Sequence, residues 1–428
     1  MSLKKIKLNF FNQPVESINS VLLFLFIISL LFREHWISKS LILISIYTIF
    51  LLIKKNIKLN QIKFYGFSLF FLLSAFSLFW SIDVENSFPK LISYLPFIII
   101  PAWSASFNSK IRYDLIFKYV GVVYVFISLI TILLAFFRFN TTQQISEFYY
   151  HNLSSPLSTS AIYLSLLYLM IFLFNLFFVL RKKERTNTFN YFILIILFIY
   201  ILLLSSKMLI ILLVLITCFI VYKSYKPRLN KGKILLIGFL LIGTFFAFMI
   251  LSENLSNRFN KILNIEKIKE VYTKNEFGDT YLWNGLNLRL LQLRAFYDIE
   301  KNESFNSLLG VGQGNSQVLL NERYLAYKLY SGKRGEKNGG YLIYNFHNQY
   351  AQTLIEQGII GFIFLMYIFY SLIINAKTNN NFLLYSVIII FILIMFTESI
   401  LERQKGIVLY VLFPLTAIKV KEYIDQKN

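Results

Sequence analysis

The chain has 428 residues, 57% hydrophobic and 18% aromatic, with a mean hydropathy of +0.59 and a formal net charge of +21. So much apolar surface is more than a soluble fold uses and is what an integral membrane protein needs. The single cysteine, Cys218, lies in an apolar run, which excludes a disulfide framework and a thiolate zinc site.

Apolar runs bounded by charge predict twelve spans, roughly 18–32, 37–53, 64–80, 91–107, 113–137, 157–180, 190–204, 207–222, 234–251, 358–374, 382–398 and 405–419. The basic stretch Met1 to Lys7 is followed by no small-residue cleavage site, so the first apolar run reads as a span that serves as its own insertion signal. If the chain starts inside, 23 Lys and Arg fall in the tails and loops of the N-terminal side, and only seven, including Lys207, fall in the short connections opposite. The other thirteen lie in one long loop. This asymmetry places both termini in the cytoplasm and the long loop outside. The basic excess is then an orientation signal, and no nucleic-acid partner is implied.

The fold class expected is all-α and polytopic. Residues 1–251 form an N-terminal bundle of about nine spans, 252–357 an outer loop domain, and 358–428 about three closing spans with a cytoplasmic tail. The segments 190–204 and 207–222 are short against the ~20 residues of a straight crossing. Their tip, Ser205-Ser206-Lys207, therefore reaches less far than the outer surface, where a lysine needs an anion or water, or snorkels to the interface. In the outer loop, 258–274 alternates apolar and lysine residues as a helix lying on a membrane surface does. Leucines at 282, 286, 290 and 293 with Tyr297 predict a helix over 281–300 that carries Arg289 and Arg294. A short helix is expected near 316–330, and a glycine-rich charged flap over 331–340.

Two motifs stand out in this loop. Gly310-Val-Gly-Gln-Gly-Asn315 lacks the strand–turn–helix setting and spacing of a dinucleotide fingerprint. Gly310 and Gly312 either present amides to an anion or make a plain tight turn. Next, Tyr344 to Gly361 holds His347, Asn348 and Gln349 and runs straight into a span. A histidine at a helix start is disfavoured as a cation and suits a general base, although a histidine near a membrane surface is also commonly structural. With the helix continuous to Gly358, its ring stands at most ~16 Å above the span's start. Glu398, Glu402 and Arg403, in the last outer turn, pair with each other or with Arg289 or Lys207, as a site or as a salt-bridge network. Asp83 and Glu85 read as a solvated loop, and the three histidines have no metal-ligand spacing.

Three stretches together resemble the O-antigen ligase and polymerase family: Arg289-x-x-x-Leu293-x-Ala295, the Gly310–Asn315 turn, and His347-Asn-Gln-Tyr-x-Gln-x-Leu-x-Glu-x-Gly358-x-x-Gly361. With the preceding spans and Leu401-Glu-Arg-Gln404, the likeness covers most of the chain. It implies a bacterial inner-membrane transferase working at the periplasmic face. Such an enzyme takes a glycan from undecaprenyl diphosphate and needs neither a metal nor another cofactor. A ligase passes the glycan to lipid A core; a polymerase passes it to another lipid-linked glycan. By resemblance, His347 is the base for the acceptor hydroxyl and Arg289 holds the diphosphate. Lys207 stands where the family usually has arginine, which keeps the charge and loses the planar fork. Leu293 stands where tryptophan is common. The resemblance favours the ligase, then the polymerase. A glycolipid flippase or other transporter would carry ionisable residues near mid-membrane, in spans that here are nearly charge-free. The oligomeric state is left open.

Overall fold

The apolar runs fold as helices because a chain in lipid must satisfy its amides and carbonyls within each segment. A computed structural model describes residues 15–57, 65–181, 188–225, 265–278, 281, 283–332 and 339–427, and among these residues there is no strand. The helices are α1 (Val15–Ser29), α2 (Glu34–Ile53), α3 (Tyr65–Phe76), α4 (Val84–Ser93), α5 (Pro96–Ser104), α6 (Tyr113–Thr142), α7 (Tyr150–Ser154), α8 (Ala161–Arg181), α9 (Thr188–Leu203) and α10 (Lys207–Tyr225), then α11 (Ile265–Thr273), α12 (Gly285–Glu300), α13 (Ser316–Ala326), α14 (Gln349–Thr378), α15 (Phe382–Ile394) and α16 (Gln404–Asp425). Among the described residues, five of these (α2, α6, α8, α10 and α14) are long and apolar enough to cross a membrane. The apolar helices α1, α9 and α15, and α3 with the turn that follows it, are shorter.

Two helices form the centre. α8 is apolar and buried on nearly every face, as is α16, which packs against α2, α5, α8 and α15. Around them α2, α6 and α14 turn apolar side chains such as Ile46, Phe126 and Ile363 outward, as helices bordering lipid do. Polar side chains between helices find backbone carbonyls: Tyr124 donates to Ile27 O (2.8 Å), Tyr168 to Tyr124 O (3.0 Å) and Asn175 to Phe117 O (3.0 Å). These bonds tie α1, α6 and α8 together where little hydrophobic force acts between helices.

The expected span 91–107 is instead two short helices, α4 and α5. Pro96 is the reason: it lacks the N–H a continuing helix requires and occupies the first position of α5. The helix expected over 281–300 begins at Gly285, because Asn284 caps it by accepting from the amides of Leu286 (3.0 Å) and Asn287 (2.8 Å). The span 234–251, Leu282, the first part of 258–274 and the middle of the 331–340 flap lie outside the described residues.

The outer-loop helices have a core of their own, built from Val271, Leu291, Ile299, Leu320 and Tyr324 and closed by Ala351 and Ile355 of α14. α14 itself is not one continuous helix. At Gly358 the backbone turns to φ 62°, ψ −163°, which breaks the ladder between an upper piece and the apolar run below. The loop 307–312 repairs the break. The amides of Val311 and Gly312 donate to the carbonyls of Ile355 and Glu356 (both 2.9 Å), and those of Ile359 and Ile360 donate to Ser307 O (2.9 Å) and Leu308 O (3.3 Å). Broken helices are tolerated at membrane depth only where other protein groups satisfy the freed backbone in this way.

The approach is so close that only glycine fits. A Cβ on Gly358 would stand 2.2 Å from Leu308 O, and one on Gly310 2.5 Å from Ile355 O. Gly358→Ala is therefore expected to destabilise the protein by at least the ~1–3 kcal/mol of backbone strain, read as a lower melting temperature in detergent. Gly285→Ala, where the added methyl meets only Arg289 Nη1 at 3.5 Å and the helix gains an alanine, should leave stability equal or slightly higher.

Candidate active site

His347 precedes α14 with φ 44°, an uncommon conformation for a side-chain-bearing residue. Its amide donates to Asn345 Oδ1 (3.0 Å). Asn348 is the helix N-cap, accepting from the Ala351 amide (3.0 Å). The next residue fixes this corner to the α15–α16 connection: the Gln349 amide donates to Met395 O (2.8 Å), and its Oε1 accepts from the Leu401 amide (2.7 Å). Asn348 and Gln349 therefore hold the corner rigid, and His347 projects from it toward that connection.

There it meets Glu398. One carboxylate oxygen lies 3.1 Å from His347 Nδ1; the other accepts from Arg289 Nη2 at 2.6 Å. A carboxylate only accepts, so Nδ1 carries the proton donated to it, and in the neutral ring this tautomer has its lone pair on Nε2. Arg289, one turn into α12, also donates from Nε to Thr397 O (3.0 Å) and from Nη1 to Gly285 O (3.1 Å). Three of the five guanidinium N–H groups are thereby used, leaving two for a ligand. The Glu398 side chain is 9% exposed, whereas those of Arg289 and His347 are 33% and 23% exposed. The cationic and imidazole groups thus face outward from a buried carboxylate.

Arg289, Thr397 and Glu398 line a cavity of 460 Å³ with Ser206, Lys207 and Asn284, over an apolar floor that includes Met208, Ile211 and Ile394. The chain brings Lys207, Arg289 and His347 to one corner from α10, α12 and the entrance of α14. On the other side of the same connection, an almost wholly apolar groove of 610 Å³ descends along α14 past Phe362, Met366 and Ile373. One stripe of α12 spans both: Leu286 and Arg289 border the cavity, Leu293 and Phe296 the groove.

Other residues singled out in the sequence stand elsewhere. Arg294 donates to Val271 O (2.7 Å) and Lys274 O (2.6 Å), satisfying carbonyls at the end of α11. Gly310 and Gly312 belong to the turn that repairs α14. The amides of Val311 and Gly312 are spent on α14 carbonyls, so the turn is no anion cradle. Glu402 pairs with Lys90 (2.8 Å) and accepts from Gln352, and Arg403 is exposed at the start of α16. Among the described residues no group of three or more His, Cys, Asp or Glu is placed to hold a metal ion.

Sequence reasoning missed the buried network beneath the corner. Glu356, 2% exposed, accepts from Gln313 (2.6 Å), Ser316 (2.6 Å) and Gln352 (3.0 Å). Its signal was present: Gln349, Gln352, Thr353, Glu356 and Gln357 recur at helical spacing, a polar stripe just above an apolar run.

No curated protein matches the chain. Residues 190–366, which include Lys207, Arg289 and His347 but stop short of Glu398, match the Wzy_C family model, described as O-Antigen ligase. The motif resemblance and this match agree: residues 190–366 match the O-antigen ligase family, in a chain whose described residues hold no strand and include helices long and apolar enough to cross a membrane.

Proposed function

We propose that the protein is a glycosyltransferase of the O-antigen ligase type. It moves a glycan from undecaprenyl diphosphate to a sugar hydroxyl of lipid A core, with inversion and without a metal ion. The observation that carries the reading is the Glu398 carboxylate held between His347 and Arg289 beside a cavity that Lys207 also lines. In this reading the acceptor hydroxyl gives its proton to His347 Nε2 as its oxygen attacks the anomeric carbon. The bond from that carbon to the phosphate oxygen breaks, and its electron pair leaves with the diphosphate. Arg289 and Lys207 take up the charge that develops there, through charge-assisted hydrogen bonds in a partly desolvated site. Glu398 fixes the tautomer and aims the ring, as the third member of a triad does. The apolar groove beside α14 gives the lipid chains a lateral approach.

We infer twelve crossings: the described apolar helices, the 91–107 region as a broken crossing, α16, and the run 234–251. Residues 1–251 then form the N-terminal bundle, 252–357 the periplasmic loop domain and 358–428 the closing helices. Both termini lie in the cytoplasm, and the cavity faces the periplasm across the inner membrane. Single cysteines placed in a Cys218→Ser background test this: one in the outer loop should react with an impermeant maleimide in intact spheroplasts, and one beyond Lys421 only after lysis.

His347→Ala should lower transfer in reconstituted vesicles about 10²–10⁴-fold with the protein still inserted. Glu398→Gln, which keeps an acceptor and loses the charge, should cost roughly tenfold, and Arg289→Lys should act mainly on the KM of the donor. Full activity of His347→Ala would remove the reading. Deleting the gene separates ligase from polymerase: bare core with stranded lipid-linked polymer supports the ligase, and core capped by one repeat unit would assign the polymerase.

A further inference from the structure

The seven cations of the short outer connections are unevenly used. Lys90 pairs with Glu402, Arg138 pairs with Glu147 (2.7 Å), and Lys207 lines the cavity. The other four, Arg33, Lys39, Arg403 and Lys405, gather at one place, where the α1–α2 turn meets the start of α16. Lys405 Nζ donates to Phe32 O (2.9 Å) and Thr159 Oγ1 (2.7 Å), and Arg33 Nη2 donates to the neighbouring Ser158 (3.0 Å). Ser38 donates to Gln404 Oε1 (2.8 Å), which brings α2 with Lys39 against the residue after Arg403. Glu34 is the acid of this cluster. Arg33, Lys39 and Arg403 are exposed, and the Arg403 guanidinium, unlike its carbonyl, which accepts from the Ile407 amide, is turned to the surface. Trp36, half exposed, lies 4.9 Å under Lys39 Nζ, and an exposed tryptophan beside cations marks head-group depth.

We propose that this patch seats a phosphate of the acceptor glycolipid's head group. The inference rests on the cavity being the site of transfer. Two separate sets of cations at one end of the bundle call for two anions. Lys207 and Arg289 serve the donor diphosphate inside the cavity, so the patch serves the other substrate. Its position suits that role. Thr159, which Lys405 holds, stands two residues before the start of α8, whose Ile162 lines the cavity wall. The segment from Glu398 to Arg403 joins the patch to the cavity from the other side. A glycolipid anchored by phosphate at the patch has its sugars directed over the cavity mouth, and its acyl chains enter the leaflet beside α2. Cations on the outer side also weaken the orientation signal that the rest of the chain sets, a cost that anion binding there offsets.

The test uses the full chain in nanodiscs and the double variant Arg33→Gln/Arg403→Gln, both positions being exposed and neither lining the cavity. Native mass spectrometry reads binding of lipid A with its phosphates, the same lipid after phosphatase treatment, and phosphatidylglycerol. The wild type should prefer phosphorylated over dephosphorylated lipid A by about tenfold or more, and the variant should lose that preference. In the transfer assay the variant should raise the KM of the phosphorylated acceptor and leave kcat and the donor KM unchanged. Equal preference in variant and wild type, or no preference in the wild type, overturns the proposal. So does phosphatidylglycerol binding as tightly as lipid A, which would make the patch a contact for bulk anionic lipid. A wild type inactive with every acceptor would sink the transferase reading, while the binding measurement still decides the patch.

Discussion

The arrangement depends on a backbone exchange across the break in α14. A helix interrupted at Gly358 leaves carbonyls at 355 and 356 and amides at 359 and 360 without intrahelical partners, and in an apolar setting each orphan is costly. The loop 307–312 supplies both kinds of partner, so the break and the loop stabilise one another. The consequence reaches upward. The upper piece of α14 no longer follows the axis of the run below; it belongs to the outer-loop core through Ala351 and Ile355. His347, at its head, is therefore positioned by the outer loop and by the 395–401 connection together. Trp80, donating to Leu309 O (3.0 Å), and Ile82, donating to Val311 O (3.1 Å), fasten the same loop to the end of the third helical segment.

On that frame, electrostatics divides the work. A carboxylate as buried as Glu398 needs partners, and it has a guanidinium and an imidazole, one per oxygen. Sharing keeps both groups oriented without quenching either: Arg289 retains two free N–H directions and His347 its second nitrogen. The Glu356 carboxylate, in the upper piece of α14, accepts its hydrogen bonds from the neutral side chains of Gln313, Ser316 and Gln352. Two carboxylates from separate elements thus serve different ends, Glu398 at the surface of the cavity and Glu356 buried beneath the corner.

Much of this was legible in the sequence. Apolar runs located the helices because the apolar length needed to cross a bilayer is a strong signal, and charge bracketed most ends. Where proline intervened at 96, the hydropathy of 91–107 concealed a break that the residue itself announced. The break at Gly358 was hidden, because a glycine at the edge of an apolar run looks like a helix start, and its partner loop lies some fifty residues upstream. The same non-local pairing decided the Gly310–Asn315 turn: its amides look available in sequence and are consumed by α14. Arg289, Lys207 and His347 were legible through the family's motifs. The role of Glu398 was not, because a lone acid in a short outer turn says nothing of its partners until α12 and the α14 corner are folded over it.

The two cations of the cavity are unlike in kind. Arg289 is oriented before any ligand arrives, since Thr397, Gly285 and Glu398 fix its plane. Lys207 is the first residue of α10, where the helix dipole disfavours a positive charge by about 0.3–1 kcal/mol. The amides of that first turn and the ammonium therefore favour the same thing, an anion at the head of α10, and in the proposed reaction the donor diphosphate would satisfy both. A planar fork is not required at that position, because the helix end supplies direction and the lysine needs to supply only charge. This is the physical ground on which lysine can stand there in place of the family's usual arginine, with the geometric demand carried by Arg289 across the cavity.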